Sequence, residues 1–337
     1  MRSSGVLRIR QGLRRLCDGS SLSAAVVLVI GLIVVLPASA SAVSFTFTPI
    51  DGPDAFFTQA TGINDAGQIV GAFATATGFH GFLYSNGIFA LIDGPGADST
   101  FAFGINDAGQ ITGTFYTVTE QHGFLYTDGV LTLIDGPGAS FTSPTGINDS
   151  GQAVGTFINP TGGYPFLYSG GVVTTIDAPG GPLGINATGQ IVGFFNNPGE
   201  VQRHGFLYTG GVFTTIDVPG ADTFETEAWG IDDSGQIVGA FTTYVRRPDG
   251  YFDIRTHGFL DTGGVFTTID VPGAVLTQAI GINTTGQIVG AFRNEMGTHG
   301  FLATPTGVPA PSTLLLLDTG LALGAAWTRI RRRSGRD

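Results

Sequence analysis

Between positions 43 and 307 the apolar residues fall in short runs broken by Asn, Asp, Gly and Thr, and no stretch shows helical spacing. Runs of this length predict strands. One phrase, in variants of Gly-Ile-Asn-Asp-x-Gly-Gln-Ile-Val-Gly, starts at Gly62, Gly104, Gly146, Gly184, Gly230 and Gly281. His-Gly-Phe-Leu follows it at His80, His122, His204, His257 and His299, with Tyr164 in the third copy. Each unit closes on Ile-Asp, with aspartates at Asp93, Asp135, Asp177, Asp217 and Asp270. Four short strands per unit result, carrying Ala-Thr-Gly-Ile-Asn, Gly-Gln-Ile-Val-Gly-Ala-Phe, His-Gly-Phe-Leu-Tyr and Gly-Val-Phe-Thr-Thr-Ile-Asp. Asn-Asp-x-Gly joins the first two strands, because Asn, Asp and Gly accept the positive φ of a tight hairpin.

The closing Ile-Asp pairs, from Ile50 onwards, are spaced 42, 42, 42, 40 and 53 residues apart. Four antiparallel strands every ~40 residues is the mark of a propeller blade. The sixth unit stops at Gly307 without a fourth strand, and the missing piece stands at the other end, as Ser44-Phe-Thr-Phe-Thr-Pro-Ile-Asp51. The expectation is an all-β, six-bladed β-propeller over 43–307, with repeats starting near 50, 92, 134, 176, 216 and 269, closed by the N-terminal strand. An open β-solenoid is the rival, and it leaves the orphan strand unexplained.

Composition sharpens the picture. With 54 glycines, 42% hydrophobic and 12% charged residues, the chain is turn-rich rather than disordered. There is no lysine, and residues 43–307 carry five arginines against 23 of the 26 acidic residues, a formal charge of −18. So acidic a body repels phosphate backbones and argues against nucleic acid as a partner. The one cysteine, Cys17, precedes the apolar N-terminal run, so thiol and disulfide chemistry leave with that segment if it is cleaved.

Residues 1–42 are laid out as a signal peptide: five early arginines, the apolar run from Ala24 to Leu36, and small residues offering cleavage after Ala40 or Ala42. An uncleaved anchor is the alternative. Residues 308–337 mirror this order, with Pro309, Ala310 and Pro311, then an apolar stretch over 313–328 interrupted by Asp318, then four arginines from Arg329 to Arg333. The stretch is shorter than the ~20 residues of a stable span, which suits a transient membrane signal better than a permanent helix. The tail resembles PEP-CTERM sorting signals, with Pro309-Ala310-Pro311 where that family has Pro-Glu-Pro. The resemblance implies export, surface sorting and processing by a protease of the exosortase type. An ordinary C-terminal anchor is again the alternative.

The units themselves are similar to the HAF extracellular repeat, whose copies carry Ile-Asn-x-x-Gly-Gln-Val-Val-Gly followed by His-Ala-Phe. Here that second position reads His-Gly-Phe, and the unit ends in Ile-Asp rather than Asp-Leu-Gly. The resemblance implies a secreted β-propeller-like module and no particular reaction.

Candidate chemistry is sparse. The histidines all occupy one repeat position, and six-fold placement holds equivalent side chains too far apart for zinc, so each is expected to bond within its own blade. The Asn-Asp-x-Gly-Gln turns look calcium-like, yet Ala187 and Thr284 replace the aspartate in two copies, and turn formation explains the rest. No metal or cofactor is expected. Asn148, Asn186 and Asn283 fit N-x-[ST] glycosylation sites, which receive little weight at structural turns. The junction aspartates, Asp51 among them, share a face with the one freely varying loop. In the fifth unit that loop grows to Thr242–Thr256 and offers Arg246, Arg247, Tyr251, Phe252 and Arg255 as the candidate ligand-binding set. The functional expectation is a non-catalytic binding or structural protein of the envelope or extracellular polysaccharide matrix, with polysaccharide or a surface protein as partner. The alternative is a carbohydrate-active enzyme, hydrolase or lyase, with its site on the loop face. That alternative requires two carboxylates, unrelated by the repeat, to meet at one spot.

Overall fold

The structure, a computed structural model, describes residues 43–306 except 221, 222 and 248. Both terminal signals, including Pro309, Pro311 and the apolar stretch at 313–328, lie outside the described residues. No helix among the described residues is long and apolar enough to cross a membrane.

Every regular element among the described residues is a strand. After β1 (Ser44–Ile50) the first unit follows as β2 (Phe57–Ile63), β3 (Ile69–Thr75), β4 (Gly78–Ser85) and β5 (Ile88–Ile92). The second is β6 (Ser99–Ile105), β7 (Ile111–Tyr116), β8 (Gln121–Thr127) and β9 (Val130–Leu133). The third is β10 (Phe141–Ile147), β11 (Ala153–Asn159), β12 (Gly162–Ser169) and β13 (Val172–Thr175). The fourth is β14 (Gly181–Ile185), β15 (Ile191–Asn196), β16 (Arg203–Thr209) and β17 (Val212–Ile216). The fifth is β18 (Thr223–Ile231), β19 (Ile237–Arg246), β20 (Phe252–Thr262) and β21 (Val265–Ile269). The sixth has β22 (Leu276–Ile282), β23 (Ile288–Asn294) and β24 (Gly297–Thr306).

Within each unit the strands pair antiparallel in chain order, as the hairpin turns predict. The orphan strand β1 pairs along its whole length with β24, from Ser44 opposite Thr306 to Ile50 opposite Gly300. Single parallel bridges, Phe141 to Gln121, Thr256 to Leu276 and Phe57 to Thr298, join some neighbouring units. The last of these links the first unit to the sixth. The fold is all-β and propeller-like.

Burial grades outward through each unit. The second strand of the first unit is buried over six successive residues, whereas the fourth strand is mostly exposed. Ile and Val of the Gln-Ile-Val-Gly phrase point to opposite faces, as strand alternation requires. Ile111 packs in its own unit while Val70 of the preceding unit fills the same cluster, together with Phe115 and Phe124. The same handover puts Val154 against the fourth unit, Val192 against the fifth and Val238 against the sixth. Val289 of the sixth packs against Ile69 and Phe82 of the first. One fully buried phenylalanine per unit, Phe82, Phe124, Phe166, Phe206, Phe259 and Phe301, anchors these layers.

Candidate functional site

The first strands of all six units line one axial cavity, and its two ends differ. At its waist stand Gly62, Gly104, Gly146, Gly184, Gly230 and Gly281, around a space of about 80 Å³. Glycine is required there by close approach: a Cβ on Gly62 would lie 2.8 Å from the Phe103 carbonyl oxygen, and one on Gly230 only 2.5 Å from that of Ile280.

Below the waist, the Asn-Asp turns enclose about 70 Å³. Asn64 Nδ2 donates to Gln68 Oε1 at 2.9 Å and to the Asn106 carbonyl of the next unit at 3.1 Å. Asn106, Asn148 and Asn186 repeat the handover, and Asn283 passes it back to the Asn64 carbonyl at 3.1 Å. The glutamine amide therefore ties the first strand to the second, and the asparagine ties one unit to the next. In the fifth unit Asp232 replaces the asparagine; with no donor to pass on, it accepts from Gln236 Nε2 at 2.8 Å instead.

The neighbouring aspartates do a related job. Asp107 Oδ1 accepts from the Asp65 backbone at 2.8 Å, and Asp65 from that of Thr284 at 2.9 Å. Burial, with the neighbouring charges of Asp149, Asp65 and Asp233, holds the Asp107 carboxyl above its ordinary range despite the bond from Asp65. These residues are turn and junction locks, and among the described residues no group of three or more His, Cys, Asp or Glu converges to hold a metal. Asn148, Asn186 and Asn283 are buried with their amides bonded, so the folded chain offers none of them to a glycosylating enzyme.

The repeated histidines bond the junction aspartates. Nδ1 of His80 lies 3.0 Å from Asp93, that of His122 2.9 Å from Asp135, and that of His257 2.8 Å from Asp270. His299 makes the same contact with Asp51 at 3.1 Å, across the pairing of β24 with β1. Each ring also packs on a phenylalanine, as His122 does on Phe115. The constant spacing of thirteen residues between His80 and Asp93, kept at His122, His204 and His257, was the signal for these pairs.

The sequence-derived ligand set lies on the β19–β20 hairpin, which outruns its counterparts in the other units. Register places Arg246 opposite Phe252, and Thr243 opposite Arg255. Alternation therefore sets Arg246 and Phe252 on one face of the ribbon and Arg255 on the other. Arg247 is ion-paired with Asp253, and Tyr251 and Phe252 are 74% and 56% exposed. The five residues share a hairpin without converging on one point.

Convergence occurs instead at the upper end of the axial cavity, on the same face as that hairpin. A cavity of about 210 Å³ is lined by Gln59, Thr61, Phe103, Thr145, Leu183, Trp229 and Ile280. Here the repeat is not obeyed. At the register position of Gln59 the other units carry Phe101, Ser143, Gly181, Glu227 and Gln278. Glu227 is only 13% exposed in its side chain and is ion-paired with Arg203 of the preceding unit. The Arg203 guanidinium lies 4.8 Å over the Phe194 ring. The bond to Glu227, partly opposed by burial and reinforced by the charges of Glu227 and Glu225, holds the guanidinium still further into its charged range. Glu225 and Glu227, two apart on β18, thus share a face beside one arginine. Sequence reading missed this pair by attending to what the units share; the signal was the one unit whose first strand departs into acid.

No family model matches the chain, and no curated protein matches it either. Solved structures similar in form include a gluconolactonase from Xanthomonas campestris, 12% identical over 80% of this chain and 97% of that one, with a TM-score of 0.46. A sialidase from Trypanosoma rangeli is 9% identical over 78% of this chain and 59% of that one, with a TM-score of 0.46. The PQQ-bound form of an aldose sugar dehydrogenase from Streptomyces coelicolor is 7% identical over 78% and 99%, with a TM-score of 0.42. These are likenesses of form and transfer no residue role. Several of these neighbours are enzymes by name, and the expectation of a non-catalytic binding or structural protein finds no support among them. What corrects it is the fifth unit itself, where Glu225 and Glu227 stand two apart on one strand beside Arg203. The non-catalytic reading is given up.

Proposed function

We propose that this chain is a carbohydrate-active enzyme, a glycoside hydrolase, whose site is the upper end of the axial cavity of a closed six-bladed propeller. Support for closure comes from the β1–β24 pairing and from the Asn283 bond to Asn64. The observation that carries the catalytic reading is the Glu225–Glu227 pair beside Arg203. Residues two apart on a strand project from one face about 6.6 Å apart, and inverting glycosidases hold their carboxyls ~6.5–9.5 Å apart with a water between. Glu227, fixed by Arg203, takes the proton from the attacking water. Glu225, which has no direct ion pair among the described residues, protonates the leaving oxygen. The signal-peptide and sorting-tail patterns extend the proposal to an exported enzyme held at the cell surface, its tail a substrate for an exosortase-type protease.

The test is hydrolysis of a panel of chromogenic glycosides by the wild-type chain, Glu225→Gln and Glu227→Gln. Removing a general acid or base should lower kcat by ~10²–10⁴-fold while leaving the far-UV circular dichroism unchanged. Full activity in both variants would end the assignment, as would a folded wild type inert on every glycoside.

A further inference from the structure

The 210 Å³ cavity holds a feature that the hydrolase reading does not use. The indole Nε1–H of Trp229 is buried and has no hydrogen-bond partner among the described residues. A buried donor left unpaired costs roughly 1–3 kcal/mol, a cost that an acceptor on a ligand in the cavity would remove. The Gln59 amide, also lining the cavity, bonds no other described residue. The Thr61 and Thr145 hydroxyls donate to the Ala102 and Pro182 carbonyls at 2.8 and 2.9 Å, which leaves their oxygens free to accept. Phe103 and Trp229 come from the second and fifth units, three units apart, and so face each other across the axis.

We infer that this cavity is a binding site for one neutral sugar ring, entered end-on. Aromatic side chains on opposite walls suit the apolar faces of a pyranose. The unpaired Nε1–H, the Gln59 amide and the two threonine oxygens suit its hydroxyls. Small-molecule sites are built this way, from apolar walls and a few placed polar groups. The volume lies below the ~300–1,000 Å³ of clefts for drug-sized ligands, and at the glycine waist the free space falls to about 80 Å³. A polymer interior cannot lie across such a hole; a chain end can enter it. A uronate is disfavoured, because no cation lines the cavity and the nearby Arg203 is already paired with Glu227. For the mode of attack, removal of terminal residues, the inference rests on the hydrolase reading; for binding it stands alone.

The chain has two tryptophans, so Trp327→Phe leaves Trp229 as the sole indole reporter. In that full-length variant, fluorescence is titrated with D-glucose, D-galactose, D-mannose and N-acetyl-D-glucosamine, and with D-glucuronate and D-galacturonate. A saturable change with at least one neutral sugar is expected, at least about tenfold weaker for its uronate, since one displaced pairing is worth roughly that factor. Gln59→Met should weaken binding, and Leu183→Phe, which fills the cavity, should abolish it. Absence of saturable binding by any neutral sugar, or equal binding by the uronates, would overturn the inference. Glycoside cleavage without monosaccharide binding would leave the hydrolase standing and remove this site; monosaccharide binding without cleavage of any glycoside would do the reverse.

Discussion

At one end of the axial cavity the innermost strands finish in Ile-Asn-Asp or a near copy six times over; at the other they pass through Gln59, Phe101, Ser143, Gly181, Glu227 and Gln278. The strands are the same, so strand formation cannot explain the difference. Neighbour bonding can. At the uniform end each asparagine serves its own turn and the next unit's carbonyl, so a change in one unit leaves buried groups unpaired in two. At the variable end no such series runs from unit to unit: Gln59 lines the cavity, Phe101 packs on Phe79 and Glu227 pairs with Arg203. Sequence freedom there is what the proposed site would require, since no repeated bond fixes the residue.

The largest expected effect tests that contrast directly. Asn106 is buried and bonds Gln110 twice, at 2.9 Å each, and the Asn148 carbonyl at 3.0 Å. Asn106→Ala should cost about 1–3 kcal/mol in urea unfolding, the penalty of stranding its buried partners. Gln59→Met, at the other end, should stay within about 0.5 kcal/mol. Equal losses would remove the distinction between frame and site.

The frame contains its own exceptions, which sharpen the comparison. Thr112 stands where the other units carry Val70, Val154, Val192, Val238 and Val289, and its buried hydroxyl has no partner among the described residues. Thr112→Val should raise stability by about 1–2 kcal/mol, because it keeps the shape and removes an unpaired polar atom. A loss of stability would mean that the hydroxyl is satisfied, by water for example.

A smaller gain is expected where the asparagine series is broken. Asp232→Asn restores the amide that five units use, so it should pair with the Asn283 carbonyl and add about 0.5–1 kcal/mol. The same change gives up the bonds that Oδ2 accepts from the Ser234 hydroxyl and the Gln236 amide, and a fall in the unfolding midpoint would show that those bonds outweigh the restored link.

Much of this was legible in the chain. Repeat spacing and hairpin turns announced four strands per unit, and the orphan strand at Ser44–Ile50 pairs with β24 as the repeat arithmetic placed it. The unit-to-unit bonds were not legible, because they join residues as far apart as Asn283 and Asn64, a separation that no local pattern records. The candidate site was obscured for a different reason. The hairpin at Thr242–Thr256 stands out by length and charge, yet one of its arginines is engaged by Asp253. Glu225 and Glu227 stand out only against the aligned first strands, and their meeting with Arg203 depends on the packing of the fifth unit against the fourth.

The weakest expected effect concerns the His–Asp junctions, which are nearly uniform and yet differ in their second partner. His204 Nδ1 bonds Asp217 at 3.0 Å and its Nε2 lies 3.3 Å from Glu200, whereas Nε2 of His80 meets the Thr77 hydroxyl. Burial alone would lower the His204 value, but the bonds and charges of Asp217 and Glu200 outweigh it and raise it above the ordinary 6.5. A histidine raised on folding adds stability that is fully present below its unfolded value and is lost as pH rises through the folded one. The midpoint difference between wild type and His204→Gln should therefore be largest near pH 5 and shrink through neutrality towards pH 8. His204→Gln made in a Glu200→Gln background, without the second carboxylate, should show a flatter profile. Parallel profiles for the two variants would reduce the fourth junction to one more copy of the frame.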